Sequence, residues 1–301
     1  MNKYLFPVYR ILVPKPLRTM ILKKSLRKKI VDFYTNLPDG QLNDDQRKVI
    51  KYLESNHVEI FPYPFHDDYS PGRVEVFYDQ DKGLRYVIQE GKRLYFKKRW
   101  GVKRIRRAYS DLSREQDICS PHRYLTGSFT IGSDDVLADV GAAEGNFSLS
   151  VIDRVKKIYL FEYDREWNEA LRATFAPWPE KVEIINKYAA DFNDDSHISL
   201  DDFYEQKGDL TFLKIDVDGA ESTVLKSCER LFGSSASLKV ALCTYHKQHD
   251  EEEFTALLKT RGFSVSPSEG YMINYYDKKI KSPWLRRGLI RAFRYGGLTA
   301  F

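Results

Sequence analysis

The sequence lacks the apolar run of about 18 residues that a helix needs to cross a bilayer. It also has little cysteine, since Cys119, Cys228 and Cys243 are the three in 301 residues. An odd number of widely spaced cysteines fits neither a disulfide framework nor a thiolate metal site, so we expect buried, reduced thiols. Together these absences predict a soluble protein without membrane spans.

The basic N-terminal stretch lacks the uninterrupted apolar core of a secretory signal, because prolines and charges break it. We therefore expect a cytoplasmic protein, with peripheral contact at the inner face of the membrane as an open alternative. What is present is a hydrophobic content of 42%, with 20 Tyr and 18 Phe. That composition predicts a packed core, in one large domain or in a larger domain with a smaller one attached.

Charge is divided unequally along the chain, although the formal net charge is only +5. Residues 1–126 contain 26 Lys and Arg against 15 Asp and Glu, whereas the remainder contains 22 against 28. A basic N-terminal part suits contact with an anionic partner, such as an anionic membrane or a phosphate-bearing carrier. The alternative is a basic surface that serves solubility alone.

The pattern of residues 1–126 predicts a small basic α+β region. Apolar residues at helical spacing among lysines predict a basic amphipathic helix over 15–34, and Asn43 is a candidate N-cap for a helix over 44–55. The segments VEVFY, LRYVIQ and RLYFKK predict an antiparallel meander, and residues 101–118 return to a helical pattern. This region is a candidate contact surface for an acceptor, a membrane or a partner.

Residues 127–280 alternate strand and helix patterns from Val136 onward, which predicts a parallel sheet covered by helices on both faces. The segments FSVSP and YMINYY, joined by a Ser-Glu-Gly turn, predict an antiparallel hairpin at the sheet edge. The predicted fold class is therefore α/β, with a Rossmann-like, mostly parallel seven-stranded sheet beside the small N-terminal domain.

Residues 281–301 include SPWLRRGLIRAFRYGG, which predicts a basic amphipathic helix. Trp284, Leu285, Leu289 and Phe293 would share one side of that helix, with arginines over much of the rest. Such a helix lies on an anionic membrane or docks on its own protein, and the sequence leaves both open.

A glycine turn, DVGAAEGN, follows the first predicted strand of the sheet. Small residues there allow a ligand to approach the backbone and permit positive φ. The turn lacks the GxGxxG spacing of a pyrophosphate site, so it favours a zwitterionic ligand without phosphate. An acid at the strand end can meet the ammonium of an amino-acid tail. The candidate ligand-binding residues are Asp139, Gly141, Ala143, Gly145 and Asn146.

An acid also closes the next strand, at Glu162, with Tyr163 beside it. From this position a carboxylate accepts hydrogen bonds from both hydroxyls of a ribose. The turn and Glu162 together point to S-adenosylmethionine (SAM) as cofactor, whereas either feature alone is an ordinary strand end. Asp191, after the third strand, is a candidate partner for the adenine amino group, or a solvated loop residue.

Polar side chains end two further strands: Lys214, Asp216 and Asp218 follow the fourth strand, and His246 follows the fifth. We expect Asp216 or His246 to remove a proton or orient an acceptor, with Lys214 organising the carboxylates. The alternatives are an ion pair that only closes the strand and a structural histidine. Because His246 and His249 lack a third ligand nearby in sequence, we predict no metal site.

These motifs resemble those of the FkbM family of SAM-dependent methyltransferases. The resemblance lies in DVGAAEGNFS at 139–148, FE at 161–162 and LKIDVDGAE at 213–221, and extends over roughly residues 127–277. Two positions depart from the family: Ala142-Ala143-Glu144 replaces a frequent Ala-Asn pattern, and Asp218 stands where glutamate is usual. The resemblance implies a class I methyltransferase fold, SAM as cofactor and O-methylation of a hydroxyl, often on a sugar or polyketide.

We therefore predict a SAM-dependent O-methyltransferase that acts on a hydroxyl of a glycan, a lipid-linked saccharide or a related metabolite. The sulfonium supplies an activated methyl group, so the protein must align an acceptor oxygen about 3 Å behind that carbon and help remove its proton.

Three alternatives stay open. Asp216-Val217-Asp218 is also a DxD at a strand end, by which many glycosyltransferases hold a metal and a sugar nucleotide. A nucleic-acid methyltransferase is disfavoured, because the fourth strand lacks the Asn/Asp-Pro-Pro-Tyr/Phe turn that grips a flipped base. A non-catalytic protein on a SAM-binding fold would need an occluded pocket, yet each cofactor position holds a suitable residue.

Overall fold

The computed structural model describes residues 14–38, 40–234 and 237–296. Within them, the N-terminal region forms α1 (Lys15–Thr35), α2 (Asp44–Ser55), 3-10 turns at Pro64–Asp68 and Pro71–Arg73, strands β1 (Phe77–Asp79), β2 (Leu84–Gln89) and β3 (Lys92–Tyr95), and α3 (Val102–Glu115). The three strands pair antiparallel in the order β1-β2-β3, which confirms the predicted meander.

The second helix begins at the predicted cap. The Asn43 side chain accepts the N–H of Gln46 at 2.9 Å, and the Gln46 side chain accepts the N–H of Asn43 at 3.0 Å. This reciprocal capping box satisfies two donors at the helix end. The buried faces of α1 and α2 then pack together through Leu26, Ile30, Tyr34, Val49, Ile50 and Leu53.

The C-terminal part is built on a seven-stranded sheet. Its strands are β4 (Val136–Val140), β5 (Lys157–Phe161), β6 (Val182–Ile185), β9 (Phe212–Ile215), β10 (Leu238–Cys243), β11 (Ser264–Pro267) and β12 (Leu289–Arg294). A separate parallel pair, β7 (Tyr188–Ala189) and β8 (His197–Ile198), is absent from the sequence prediction. The helices are α4 (Asn146–Val151), α5 (Arg165–Phe175), α6 (Leu200–Lys207), α7 (Glu221–Lys226), α8 (Glu229–Gly233) and α9 (Asp250–Thr260).

The strand order is β11-β12-β10-β9-β4-β5-β6, and β12 runs antiparallel to both of its neighbours. This is the predicted Rossmann-like α/β fold, with the strand order of class I methyltransferases. Successive residues of β4 alternate between two core layers, since Leu137 joins one and Val136 and Ala138 join the other. Helices cover both faces, which explains why β4 is a continuous apolar run apart from Asp139.

The C-terminal segment corrects the prediction of an amphipathic helix over 281–301. Residues Leu289–Arg294 instead form β12, which completes the sheet between β10 and β11. Arg291 is 8% exposed and donates to the carbonyl oxygens of Arg123 and Tyr124. A basic residue fits this strand because its guanidinium finds backbone acceptors. Residues 297–301 lie outside the described part of the chain.

The predicted edge hairpin is also wrong in its pairing. β11 pairs with β12, whereas the YMINYY segment makes only an isolated bridge between Met272 and Arg286 among the described residues. The physical reason is a competing contact, since Ile273 donates its N–H to the carbonyl oxygen of Ile60 at 3.0 Å and packs with α1 and α2. The segment therefore joins the N-terminal helices to the sheet domain.

Helix α1 confirms the helix predicted over 15–34. One face of its second half is buried through Leu26, Ile30 and Tyr34, but its first half leaves Leu17, Met20, Ile21 and Leu22 between 42% and 57% exposed. Among the helices that the structure describes, none combines the length and apolarity that a membrane span requires.

Candidate functional site

A cleft of about 750 Å³, called here the first cleft, opens at the carboxyl ends of β4, β5 and β9. Residues 187–190, Phe192 and part of α3 also line it. Ligands bind at this edge of open α/β sheets, so it is the candidate active site. The predicted residues that line it are Gly141, Ala143, Asn146, Glu162, Tyr163, Lys214 and Asp216. Those outside the lining are Asp139, Gly145, Asp191 and His246.

Gly141 is required by the close approach of two chain segments. Its φ is +79°, and a Cβ there would lie 2.0 Å from the carbonyl oxygen of Asp216. Gly145, with φ of +78°, precedes α4, and a Cβ there would lie 2.8 Å from Leu171 and Phe175. Gly141 therefore shapes the cleft, whereas Gly145 allows the helices to pack.

Asp139 is 1% exposed and pairs with Lys214, whose Nζ lies 3.0 Å from Asp139 Oδ1. Lys214 also donates to the carbonyl oxygen of Gly141 at 2.8 Å, and Ser148 donates to Asp139 Oδ2 at 2.6 Å. Burial alone lowers the pKa of Lys214, but the charges of Asp139 and Asp216 outweigh burial and raise it. Lys214 is thus a fixed cation that holds β4 against β9.

Glu162 lies in the cleft with each carboxylate oxygen held by a backbone donor. Ala143 N–H donates to Oε2 at 2.9 Å, and Asp164 N–H donates to Oε1 at 2.7 Å. Burial raises the pKa of Glu162, and these two hydrogen bonds act against the increase. Each oxygen keeps a second lone pair for a ligand hydroxyl.

Aromatic rings line the cleft beyond Glu162. Tyr163 packs against Tyr188 with ring centroids 4.3 Å apart, and Phe192 packs against His197 with centroids 4.5 Å apart. Asp191 precedes Phe192, but its side chain is exposed and does not line the cleft. The walls here therefore suit a flat apolar ring more than a charged partner.

Asp216 is held by two side chains from the segment that precedes the sheet. Tyr124 donates its hydroxyl to Asp216 Oδ2 at 2.8 Å, and His122 Nε2 lies 3.5 Å from the same oxygen. Burial alone raises the pKa of Asp216, but the hydrogen bond and charge of His122, together with Lys214, lower it far below its usual range. Asp216 is ionised at neutral pH and is therefore a weak proton acceptor.

His246 lies among three carboxylates. Its Nδ1 lies 2.9 Å from Glu221 Oε1, while its Nε2 lies 4.0 Å from Asp216 Oδ1 and 3.8 Å from Asp218 Oδ1. Burial alone lowers the pKa of His246, but the hydrogen bond to Glu221 and the carboxylate charges outweigh burial and raise it. The fold thus brings together polar residues from the ends of β9 and β10.

Two acids of the cleft are absent from the sequence prediction, namely the half-buried Glu115 of α3 and the buried Glu144 of the glycine turn. Burial raises the pKa of Glu115 to about 7 and that of Glu144 to about 8. Glu144 lies inside the predicted motif, so a charged residue at this position could have been recognised as a site residue from the sequence. Glu115 is one of many charged residues in α3, and the sequence contains no signal for its position in the site.

A second cleft, of about 760 Å³, adjoins the first and shares Leu112, Gln116 and Asn146 with it. Residues of the β2–β3 turn, α3, the 123–130 segment and α4 contribute to its lining. Many lining side chains are hydroxyl, amide, aromatic or arginine groups, including Tyr69, Gln89, Tyr109, Ser113, Arg123, Thr126, Thr130, Ser150 and Arg154. The N-terminal region and the sheet domain build this cleft together.

Residues 193–272 match the family model of the methyltransferase FkbM domain. Over these residues the chain is similar to FkbM methyltransferases. The match includes the LKIDVDGAE strand end and His246, and it begins after the glycine turn and Glu162. No curated protein is significantly similar to this chain.

Solved structures of methyltransferases are similar to the chain at low identity. An FkbM methyltransferase from Methylobacillus flagellatus shares 15% identity over 90% of this chain and 70% of that chain, with a TM-score of 0.43. A putative methyltransferase from Streptococcus mutans, in complex with SAH, shares 12% identity over 55% and 91% of the two chains, with a TM-score of 0.35. Because these values are low, the fold assignment rests on the strand order.

Proposed function

We propose that the protein transfers a methyl group from SAM to a hydroxyl oxygen of a glycan or a related metabolite. The observation that supports SAM most directly is Glu162, whose carboxylate lies in the first cleft with lone pairs free for a ribose. The adjoining turn, with Gly141 and Ala143, lets the rest of the ligand approach the backbone. The FkbM domain supports methyl transfer in general.

The ammonium of SAM needs a carboxylate partner. Asp139 is buried and paired with Lys214, so we assign this contact to Glu144 or Glu115, which line the cleft. SAM carries a sulfonium and an ammonium against one carboxylate and is therefore a net cation. An acidic lining attracts such a ligand once its carboxyl groups are ionised. The adenine would lie against the rings of Tyr163 and Phe192.

Asp216 and His246 are the groups that we assign to the acceptor. As the acceptor oxygen bonds to the methyl carbon, the carbon–sulfur bond breaks and the hydroxyl proton must leave. Asp216, ionised and held by Tyr124, would orient the hydroxyl. Neutral His246 is the side chain at this end of the site that is suited to accept the proton.

The second cleft supports a saccharide as acceptor. Sugars offer both apolar C–H faces and hydroxyl groups, and the lining combines tyrosine rings with hydroxyl and amide side chains. Its volume of about 760 Å³ lies in the range of small-molecule sites. Arg123 and Arg154 outnumber Glu90 among its charged lining residues, so a saccharide linked to a phosphate or carrying a carboxylate fits this charge.

We also propose that α1 contacts an anionic membrane surface, where a lipid-linked acceptor would lie. The exposed Leu17, Met20, Ile21 and Leu22 lie beside Arg18 and Lys24 of the same helix, and apolar side chains next to basic ones suit an anionic membrane surface. Vesicles with anionic lipid should retain the protein at low salt and release it at high salt. Absence of retention would contradict the membrane proposal and leave methyl transfer untouched.

The test of the proposed activity is incubation with methyl-labelled SAM and a panel of neutral glycans, uronic-acid glycans and lipid-linked saccharides. We expect a labelled methyl ether, identified by mass spectrometry. Methyl transfer to none of these acceptors by a protein that binds SAM would contradict the saccharide assignment. Metal-dependent binding of a sugar nucleotide without SAM binding would favour the glycosyltransferase alternative.

A further inference from the structure

Metal-ligating side chains converge where β9 and β10 end. His246 Nε2 lies 3.8 Å from Asp218 Oδ1 and 4.0 Å from Asp216 Oδ1. Ligand distances of about 2.1 Å allow two donors to lie up to about 4.2 Å apart across one ion. These separations are therefore too long for hydrogen bonds but within the span of a single divalent cation.

Glu221 supplies a second, independent observation. It is 0% exposed, and its Oε1 accepts the N–H groups of Val217 and Gly219 and lies 2.9 Å from His246 Nδ1. Its Oε2 is buried and lacks a hydrogen-bond partner within the described part of the chain. Ligand atoms of Glu221, Asp216 and His246 all lie within 4.8 Å of one another. A buried carboxylate oxygen without a partner is costly unless a positive charge lies nearby.

We propose that Asp216 and His246 bind one divalent cation at the edge of the first cleft, and that the exposed Asp218 side chain moves in as the third ligand. Glu221 would accept the Nδ1–H of His246, which leaves the Nε2 lone pair facing the two aspartates. Metal-bound histidines commonly have such a carboxylate partner, because it fixes the ring and its tautomer. One nitrogen and two oxygen donors suit Mn²⁺, Zn²⁺ or Mg²⁺.

The positions of the two aspartates fit a site that is open to ligand. Asp216 is fixed by Tyr124 through Oδ2, which leaves Oδ1 on the His246 side. The Asp218 side chain is fully exposed, so it can move toward the ion without disturbing the core. Both aspartates line the first cleft. A cation here would face an acceptor hydroxyl and lower its pKa, so His246 would bind the cation in place of accepting the proton. This inference deepens the proposed function and rests on it.

The competing explanation is that a proton takes the place of the cation. In that case His246 is an imidazolium ion that bridges Glu221, Asp216 and Asp218, and no metal binds. The two explanations differ in a measurement that needs no acceptor, because the ion itself is the probe.

The experiment is a titration of the full-length protein with Mn²⁺ near pH 7.5, followed by electron paramagnetic resonance, with Zn²⁺ and Mg²⁺ as competitors. We expect one Mn²⁺ bound per chain. Asp218→Asn and His246→Gln remove ligands and should weaken binding by at least about tenfold, and Glu221→Gln should weaken it by about 10 to 100-fold. His249→Gln is the matched control, because that histidine is exposed and pairs with Glu252 at 3.6 Å.

Asp218→Asn protects the test against misfolding, since that side chain is exposed. SAM affinity measured on the same samples separates this proposal from the proposed function. If the wild-type protein binds SAM but no Mn²⁺ or Zn²⁺ below about 1 mM, the cation site is wrong and methyl transfer stands. If Asp218→Asn and His246→Gln bind Mn²⁺ as the wild type does, the ion lies elsewhere and the assignment is equally wrong.

Discussion

The first and second clefts share three lining residues but are built in different ways. The first is formed mainly where neighbouring parallel strands end, so its residues fall in a few short motifs. The second brings together elements that are far apart in sequence. Gln89, for example, donates to the carbonyl oxygen of Asn146 at 2.7 Å, across 57 positions.

Under the proposed function, this difference assigns the two ligands to different clefts. The sheet edge is common to the fold and would provide a general position for SAM, whereas the second cleft depends on a particular N-terminal region. Variants in the first cleft should therefore change cofactor binding, and variants in the second cleft should change acceptor use alone.

The largest effect is expected from Gly141→Ala. The new Cβ would lie 2.0 Å from the carbonyl oxygen of Asp216 at a φ of +79°, so β4 and β9 must shift apart. We expect loss of SAM binding by calorimetry and a decrease in unfolding free energy of about 2 kcal/mol or more. Gly127→Ala is the control in the second cleft, because a Cβ there has nothing within 4 Å. SAM affinity equal in both variants would contradict the account.

His246→Gln should lower the rate of methyl transfer by about 100-fold with little change in SAM affinity. The wild-type rate should increase with pH through the pKa of His246, which its carboxylate neighbours raise. The rate increases with pH because only the neutral imidazole, which forms above the pKa, accepts a proton or binds a cation. Rates measured from pH 6 to 9 should show this increase in the His249→Gln control and not in His246→Gln. A flat wild-type profile would remove His246 from the mechanism.

Tyr109→Ala should raise KM for the saccharide acceptor by about fivefold, since a ring contact contributes about 1 kcal/mol. SAM affinity should stay unchanged, because Tyr109 lines the second cleft and not the first. Tyr78→Ala is the matched control, as that tyrosine is 56% exposed and lines neither cleft. A change in SAM affinity with constant acceptor KM would reverse the assignment of the two clefts.

The smallest expected effect is the release of a fraction of a proton when SAM binds. Because burial raises the pKa of Glu115 to about 7 and of Glu144 to about 8, part of each is protonated near pH 7.5. A cationic ligand favours the ionised carboxylates, so SAM binding should release protons and tighten as pH increases through this range. Calorimetry in buffers of different ionisation enthalpy measures the release, which Glu115→Gln should reduce. Proton uptake would contradict an acidic lining around SAM.

The sequence predicts those features that are determined by residues close together in the chain. Asn43 and Gln46 cap α2 with side chains three positions apart. Glu162 lies in the cleft because one strand places it there. Strand ends of a parallel sheet meet at one edge whatever lies elsewhere in the chain.

Features that depend on contacts between residues far apart in sequence could not be predicted from the sequence pattern. Arginines among apolar residues fit an amphipathic helix as well as β12, and the carbonyl oxygens that hold Arg291 belong to residues 123 and 124. Tyr124 reaches Asp216 across 92 positions, and Glu115 enters the cleft from α3. Neither composition nor periodicity indicates these side-chain contacts.

The central claim is that Glu162 holds the ribose of SAM in the first cleft, and calorimetric titration with SAM tests it most directly. Glu162→Gln keeps the side-chain shape but removes the charged acceptor, and should weaken SAM binding by about 1.5 to 3 kcal/mol. Glu166→Gln is the control, because Glu166 pairs with Arg99 at 2.7 Å outside the cleft. We expect the wild type and Glu166→Gln to bind SAM equally and Glu162→Gln to bind it at least about tenfold more weakly. Absence of SAM binding to the wild type, or equal affinity in all three proteins, would contradict it.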